Sequence, residues 1–558
     1  MPMRGSWGIA VLHLAGWALG LGSLPAAEPP DYLFRQLSPD GEPASRVAWS
    51  PAIDPRGEWV LFVGDVEIAG AEAVYAMRRN GSELHRLSVY GATGSIGGYY
   101  FSADGRRVLY LGDLDLDGLQ ELWSVAPSAS AASAVKLNVP VVGGGVTLLQ
   151  VPEVGDRIAY IAETAGGRGV WSVPAAGPSS ANVRLDPPAV GDETLQSLLF
   201  RPDGAHVVLQ FTDNVAFTTR LFTVPVGGPL ASAILLAENA TGECAAVGGV
   251  FTPDSTRLVY FRFCPPAFSA SQIWSVPAAG PAGSAVSLGG SFADGGNLQG
   301  LAISPDSQRV VFIADRLVDE RVELWSVPVA GPAAAIVRLN PSLVTNGDVK
   351  TGFRISPDSS RVAYIADQVS DERFFPYSVP IAGPSTEAVS LYQGVLLVGA
   401  DALDLAFTPD SSRVVFRFDL AVNDRFDLYS APADGSAVQA RITNRGVPPA
   451  PPRSVASTWL VHPDGERVFY VFDELASGDR RGLGEQRLLD PYATDTRLNG
   501  VPATGGQVNH VFLYPDGAGL IFHSDEAADG KNELFTVDLR LLGDGFESSD
   551  TNAWPDAP

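Results

Sequence analysis

One phrase of this sequence returns at a fixed interval. Ser304–Asp315 (SPDSQRVVFIAD) recurs 52 residues later as Ser356–Asp367 (SPDSSRVAYIAD), and again after the same interval as Thr408–Asp419 (TPDSSRVVFRFD). A fixed period of this length indicates a repeat architecture, in which each unit buries its faces against its neighbours. The 558 residues are therefore not divided by length into three or four independent domains. We count ten units, with turns centred near Pro55, Ala103, Pro152, Pro202, Pro253, Pro305, Pro357, Pro409, Pro463 and Pro515.

Each unit predicts four short β-strands. An apolar run such as Gly352–Ile355 comes first, and the Pro-Asp pair after it favours a type I turn. Arg361–Ala366 is rich in β-branched and aromatic residues and predicts the second strand. A polar acidic loop follows, then a third strand such as Glu323–Pro328 and a fourth such as Ile336–Leu339. This pattern describes one blade of a β-propeller, so we predict an all-β fold of about ten four-stranded blades.

The repeat also resembles a known family. The Ser-Pro-Asp-Ser turn at Ser356–Ser359 and the Leu-Trp-Ser-Val-Pro strand at Leu324–Pro328 are similar to those of the TolB-like, WD-type β-propellers. The resemblance extends over nearly all of the chain after residue 27. It implies a propeller fold and favours protein–protein interaction in the cell envelope. Such blades also occur in peptidases and sugar lyases, so the resemblance does not define an activity.

The two ends of the repeat region predict how the ring closes. Tyr32–Leu37 matches the fourth-strand pattern, whereas the last unit supplies only three strands and ends near Glu533–Val537. We expect the N-terminal strand to complete the last blade and to close a single ring without exposed edges. Two smaller propellers are the alternative, although no linker between units marks a boundary.

The first 27 residues have the pattern of a secretory signal. Arg4 precedes the largely apolar, uncharged stretch Ile9–Leu24, and Pro25–Ala27 supplies small residues for cleavage. Sixteen residues are short for a membrane span. We therefore expect a periplasmic or secreted protein with no span in the mature chain, a propeller over residues 28–540 and a tail over 541–558. Gly543–Trp554 resembles a short tag of exported proteobacterial proteins, and a disordered tail is the alternative.

Charge limits the class of partner. The chain has 63 acidic and 38 basic residues, a formal net charge of -25. Such a chain repels phosphate backbones, which argues against a nucleic-acid partner. The charge favours cations or a basic partner, and a role in solubility alone is the alternative.

The only two cysteines, Cys244 and Cys264, lie on either side of the turn Pro253–Asp254. A hairpin folded at that turn would place them opposite each other on antiparallel strands. In an oxidising compartment this arrangement predicts a disulfide, with two buried free thiols as the alternative.

The loop between the second and third strands of the second unit carries four carboxylates, on Asp113, Asp115, Asp117 and Glu121. Aspartates at alternate positions with a glycine for the sharp turn partly resemble a Ca²⁺-binding loop. Hairpin turns closed by Asx hydrogen bonds are the alternative. The equivalent loops of other units are also acidic, so we expect one face of the ring to have a negative potential.

The sequence has no Gly-x-Ser-x-Gly elbow, and we expect no added domain after the last unit that could hold a nucleophilic serine. We predict an exported, non-enzymatic scaffold that binds an envelope or extracellular protein or glycan through its loop faces. The alternative is a lyase or hydrolase acting on a polysaccharide or peptide in the central channel, which would need histidines and carboxylates to converge on the innermost strands. A purely structural surface protein is a third hypothesis.

Overall fold

The computed structural model describes residues 34–36 and 51–539, apart from short gaps at 69, 91–94, 117, 188–192, 214, 217, 241–242, 265–268, 291, 293–295, 395–398, 421–423, 444–452, 475–479, 490–495, 500–506 and 526–532. The predicted signal (1–27), the predicted tail (541–558) and Asp117 lie outside the described residues.

Forty strands are present in the described residues. In chain order they are β1 (Phe34–Gln36), β2 (Ala52–Ile53), β3 (Trp59–Gly64), β4 (Ala73–Arg78), β5 (Leu84–Arg86), β6 (Ile96–Phe101), β7 (Val108–Gly112), β8 (Glu121–Val125), β9 (Val135–Lys136), β10 (Val146–Gln150), β11 (Arg157–Thr164), β12 (Gly167–Pro174), β13 (Val183–Arg184), β14 (Glu193–Phe200), β15 (His206–Asp213), β16 (Thr218–Pro225), β17 (Ile234–Glu238), β18 (Ala245–Phe251), β19 (Arg257–Cys264), β20 (Ser269–Pro277), β21 (Val286–Ser287), β22 (Leu298–Ile303), β23 (Arg309–Ala314), β24 (Glu323–Pro328), β25 (Val337–Arg338), β26 (Arg354–Ile355), β27 (Arg361–Ala366), β28 (Phe375–Pro380), β29 (Val389–Ser390), β30 (Ala402–Phe407), β31 (Arg413–Phe418), β32 (Asp427–Pro432), β33 (Ala440–Arg441), β34 (Arg453–Val461), β35 (Arg467–Glu474), β36 (Arg481–Arg487), β37 (Thr496–Arg497), β38 (Val508–Leu513), β39 (Gly519–Ser524) and β40 (Glu533–Asp538). Six three-residue 3-10 turns lie between third and fourth strands, at Ala131–Ser133, Ser179–Ala181, Leu230–Ser232, Ala282–Ser284, Ala333–Ala335 and Ser385–Glu387.

These strands form ten four-stranded antiparallel sheets, the blades of a β-propeller. Blades 1 to 9 each take four consecutive strands, from β2–β5 in blade 1 to β34–β37 in blade 9. The predicted all-β propeller of ten blades is therefore confirmed. The blades with the weakest sequence match are complete: the third contains β10–β13, and the ninth contains β36 as its third strand.

Blade 10 combines the two ends of the repeat region. Its sheet has the order β1-β40-β39-β38, and Phe34 of β1 lies opposite Val537 of β40. The N-terminal strand thus supplies the missing fourth strand, as the sequence pattern predicts. Arg79 of blade 1 also joins the ends, because its Nη1 lies 2.6 Å from Asp516 Oδ2 and its guanidinium covers the Tyr514 ring of blade 10.

The hydrophobic core runs continuously around the ring. Each pair of neighbouring blades shares a cluster of buried side chains, including Val60 and Phe62 of blade 1 with Ile521 and Leu534 of blade 10. No blade interface is left open in the described residues. The arrangement is therefore one ring rather than two smaller propellers, because each blade buries its faces against both neighbours.

The Ser-Pro-Asp-Ser turn joins the first two strands of a blade. In blade 7, Ser356 Oγ donates to Asp358 Oδ1 at 2.6 Å and accepts from Arg361 N at 2.9 Å. Ser359 closes the turn with φ of 63°, in the left-handed region. A residue at this position needs a positive φ, which explains why other units have glycine there.

Serine at this left-handed position also links the blades. Its hydroxyl accepts a hydrogen bond from the turn aspartate N–H of the preceding blade, across four successive interfaces. The pairs are Asp203 N to Ser255 Oγ (3.1 Å), Asp254 N to Ser307 Oγ (3.0 Å), Asp306 N to Ser359 Oγ (3.0 Å) and Asp358 N to Ser411 Oγ (3.0 Å).

Two faces carry the connections between strands. We define the upper face as the face that carries two types of loop: those between first and second strands, and those between third and fourth strands. The lower face carries the loops between second and third strands and the connections from one blade to the next. Alternate connections of an antiparallel sheet emerge on the same side, so each face is built from the same two loop types all around the ring.

Candidate functional site

The predicted calcium loop of blade 2 is on the lower face, and its carboxylates bind groups of this chain. Asp113 Oδ2 accepts a hydrogen bond from Gly118 N at 3.0 Å, which closes the loop across five residues. The ammonium of Lys136 lies between the other two described carboxylates, 2.6 Å from Asp115 Oδ2 and 2.5 Å from Glu121 Oε1. Glu121 is fully buried, so this ion pair compensates a desolvated charge. Calcium at Asp113, Asp115, Asp117 and Glu121 stays a prediction, and it would have to compete with Lys136.

The first aspartate of the equivalent loops has a structural role in blades 6 to 8. Its Oδ2 accepts from the backbone N–H five residues later, and its Oδ1 accepts from the connection that enters the same blade. In blade 7 these contacts are Glu372 N to Asp367 Oδ2 (3.1 Å) and Asp348 N to Asp367 Oδ1 (2.5 Å). The equivalent acceptors are Asp315 and Asp419. These buried acids therefore hold two lower-face loops together and are not available to an external ligand.

The exposed apolar side chains concentrate on the lower face. Seventeen large hydrophobic residues are exposed in the described part of the chain. Eight of them lie in lower-face loops, with exposures from 44% for Val142 to 78% for Val215, and only three lie in upper-face loops. The lower-face residues are Ile68, Val89, Leu116, Val142, Val215, Leu317, Val318 and Val369; the upper-face residues are Val154, Val438 and Leu489. Sequence reasoning missed this asymmetry, because an apolar loop residue looks the same as a core residue until its surroundings are known.

Two histidines meet in blade 10. His510 of β38 and His523 of β39 are cross-strand partners, with ring centroids 6.4 Å apart. His510 is exposed and His523 is buried. Across the described ranges, no group of three or more His, Cys, Asp or Glu side chains is arranged to hold a metal ion.

Blade 9 replaces neutral residues of the repeat with ionisable ones. His462 takes the place of the turn serine, and its Nδ1 lies 2.8 Å from Asp464 Oδ1. The neighbouring Arg467 is fully buried, with its Nη1 2.9 Å from Oε1 of Glu485, which occupies the position of the third-strand serine. Burial lowers the pKa of His462 to about 4 and raises the pKa of Glu485 to about 7. This cluster is closed to solvent, so we assign it a role in stability rather than in binding.

The two cysteines occupy matching positions of one hairpin. Ala245 of β18 lies opposite Phe263 of β19, so the next residues outward, Cys244 and Cys264, are also opposite each other. The described residues contain no free cysteine. The side chain of Cys264 lies outside the described residues, so the Cys244–Cys264 bridge remains a prediction that the register favours.

None of the helices in the described residues is long and apolar enough to span a membrane.

No protein-family model matches this sequence, and no curated protein matches it. Among solved structures, an oligogalacturonate lyase in complex with manganese is 13% identical, with a TM-score of 0.34 and coverage of 88% of this chain and 96% of that one. An oligogalacturonate lyase from Vibrio parahaemolyticus is 12% identical, with a TM-score of 0.34 and coverage of 88% and 97%. Prolyl oligopeptidase B from Galerina marginata bound to a 35mer substrate is 11% identical, with a TM-score of 0.37 and coverage of 77% and 54%. This chain spans about half the length of the peptidases it matches. Similarity at this level transfers no activity, metal or substrate to this chain.

Proposed function

We propose that this protein is an exported, non-enzymatic β-propeller that binds an envelope or extracellular protein through its lower face. The observation that carries the proposal is the concentration of exposed aliphatic side chains on that face. Exposed apolar residues grouped on one side of a soluble protein mark interaction surfaces more often than isolated ones do. Loops on a rigid scaffold are also where recognition is usually located.

A protein partner fits this surface better than a glycan. Among the seventeen exposed large hydrophobic residues of the described chain, only Tyr100 is aromatic, and it lies in the first strand of blade 2 rather than in a loop. Burial of aliphatic side chains is favourable against the apolar surface of another protein, whereas a hydroxyl-covered sugar offers them little apolar surface. The acidic net charge of the chain argues against a nucleic-acid partner.

The test compares two matched triple variants as bait in envelope extracts of the source organism, with chemical cross-linking. Val215→Ser, Leu317→Ser and Val369→Ser remove exposed aliphatic residues from the lower face. Val154→Ser, Val438→Ser and Leu489→Ser remove three of comparable exposure from the upper face. We expect proteins captured by the unmodified chain to be lost with the first variant and kept with the second. Equal capture by both variants, or loss with both, would reject the lower face as the binding surface.

Export is part of the proposal and has its own test. The apolar stretch before Glu28 and the cysteines placed opposite each other both suit a chain that passes into an oxidising compartment. Expression of the full chain in a bacterial host should yield periplasmic protein whose intact mass corresponds to a start at Glu28. Cytoplasmic protein that keeps residues 1–27 would contradict export.

We also propose that calcium binds at the blade 2 loop, where it would have to compete with the ammonium of Lys136. If the ion binds, calcium should raise the melting temperature, and Asp115→Ala combined with Asp117→Ala should abolish that rise. An unchanged melting temperature with calcium and with chelator would reject the site.

A further inference from the structure

Acids at the lower face differ in whether they form ion pairs. In each of blades 1 to 4, one carboxylate in a lower-face loop or at the lower-face end of a strand forms an ion pair with a basic residue of the same blade. These pairs are Glu67–Arg86 (2.6 Å), Asp115–Lys136 (2.6 Å), Glu163–Arg168 (3.4 Å) and Glu193–Arg220. Their charges are therefore largely neutralised within the blade.

Blades 6 and 7 leave their loop acids unpaired. Asp319, Glu320, Asp371 and Glu372 are exposed, and none of the four forms an ion pair with any described residue. The basic residue next to them in blade 6 is turned away, because Arg321 Nη2 donates to the backbone oxygen of Leu343 at 3.0 Å. These two neighbouring loops thus present to solvent four carboxylates that have no ion-pair partner among the described residues.

Lys350 lies near these acids but forms no ion pair with them. Lys350 is half-buried, its Nζ lies 3.6 Å from the centroid of the Phe374 ring, and it forms no ion pair with a described residue. Burial lowers the pKa of Lys350, although the carboxylates of Asp401, Asp367 and Glu372 raise it. Its contact is with the aromatic ring rather than with the exposed acids.

Two of the acids are at backbone positions that favour glycine. Glu320 and Glu372 have φ of 61° and 57°, whereas the equivalent residues of blades 1 and 2 are Gly70 and Gly118. A carboxylate side chain is therefore present where the fold itself would be served better by glycine, at a cost of roughly 1 kcal/mol for each residue.

Exposed aliphatic side chains adjoin these acids in the same loops. Leu317 and Val318 precede Asp319 in blade 6, and Val369 precedes Asp371 in blade 7, all with more than half of their surface exposed. We call Leu317–Glu320 together with Val369, Asp371 and Glu372 the blade 6–7 patch. The patch therefore combines an apolar contact surface with unpaired negative charge.

We propose that the blade 6–7 patch docks a cationic amphipathic segment of a protein partner, an inference that rests on the function proposed above. Apolar side chains of the segment would cover Leu317, Val318 and Val369, and its lysine or arginine side chains would pair with the four carboxylates. The net charge of -25 would speed the approach of such a segment, and the aliphatic contacts would lengthen its residence.

The test uses a synthetic helical peptide of lysine and leucine as the probe, with fluorescence anisotropy as the readout. The patch variant combines Asp319→Asn, Glu320→Asn, Asp371→Asn and Glu372→Asn, because asparagine tolerates a positive φ better than most residues. The control variant combines Glu153→Gln, Asp156→Asn, Glu387→Gln and Glu466→Gln, four exposed acids of the upper face. Both variants change the net charge by the same amount, so a general electrostatic attraction affects them equally.

We expect the patch variant to raise the Kd of the peptide by about tenfold or more and the control variant by less than about twofold, in line with four lost charge contacts. Leu317→Ser with Val369→Ser should raise it as well, and a glutamate–leucine peptide should not bind. No binding of the cationic peptide, or equal weakening by the patch and control variants, would overturn the proposal. Loss of capture by the aliphatic triple variant in the extract experiment would then still support the proposed function with a partner of different charge.

Discussion

Gly204 and Gly465 occupy the same position of the repeat, and we predict opposite outcomes when each is replaced by serine. Both close the turn between the first two strands, with φ of 67° and 71°. A Cβ at Gly465 would meet its nearest neighbour, Pro409 Cδ, at 3.8 Å, which is an ordinary contact. A Cβ at Gly204 would lie 1.8 Å from the backbone oxygen of Val154, which no side-chain rotation can relieve.

The magnitudes follow from these neighbours. Serine at Gly465 gives up glycine's freedom at positive φ, a cost of roughly 1 kcal/mol. Its hydroxyl would face Asp410 as Ser411 faces Asp358, and an inter-blade hydrogen bond is worth about 1 kcal/mol. The net change should therefore lie within about 1 kcal/mol of zero. Gly204→Ser must displace a backbone carbonyl by more than a bond length, so we expect a loss of about 3 kcal/mol or more.

Urea unfolding followed by tryptophan fluorescence would measure both variants against the unmodified chain. Gly204→Ala is the matched control, because it adds the clashing Cβ without a hydroxyl, and it should be as damaging as Gly204→Ser. Ser411→Gly should cost little, because it loses the hydrogen bond but relaxes the backbone. Equal destabilisation by serine at Gly204 and at Gly465 would refute the assignment of the clash and of the inter-blade contact.

Three further predictions concern stability and assembly. Burial lowers the pKa of His462 to about 4, whereas its unfolded pKa is 6.5, so the unfolded chain takes up a proton first as pH falls. The free energy of unfolding should therefore have its full value above pH 6.5 and decrease by up to about 3 kcal/mol as pH falls towards 4. His462→Ser should make the melting temperature less dependent on pH between 7 and 4.5, and an unchanged slope would contradict this. Mass spectrometry of exported protein should find Cys244 and Cys264 joined, and Cys244→Ser should lower stability by roughly 3 kcal/mol; two free thiols would reject the bridge. Deletion of residues 28–37 should expose the edge of β40 and cause association in light scattering, and a monomer of unchanged stability would refute ring closure by β1.

Most of the fold could be predicted from the sequence because its information is local and repeated. Proline and aspartate at fixed offsets specify the turn, and runs such as Arg361–Ala366 specify the strand after it. Ring closure was also predictable, because Tyr32–Leu37 matches a strand that the last unit lacks. The hydrogen bond from Asp358 N to Ser411 was not, because 53 residues separate its partners and no periodicity shows which atoms meet.

The candidate sites show where local reasoning stops. The calcium prediction depended on the spacing of Asp113, Asp115, Asp117 and Glu121, but the cation that reaches two of them is Lys136, from the fourth strand of the same blade. A pattern read within one loop cannot include a partner from another strand. The unpaired acids of blades 6 and 7 were likewise indistinguishable from the paired acids of blades 1 to 4, because pairing depends on side-chain geometry across strands.

The sheet that joins β1 to β40 has a consequence for biogenesis. Phe34–Gln36 leave the ribosome, and any export channel, about five hundred residues before their partners in Glu533–Asp538. Until those partners arrive, the earliest strand has no sheet of its own, and the flanks of blade 1 and blade 9 that blade 10 covers remain bare. The ring is thus closed only when Glu533–Asp538 meet Phe34–Gln36, and a chain interrupted before residue 533 leaves apolar flanks of blades 1 and 9 exposed to association.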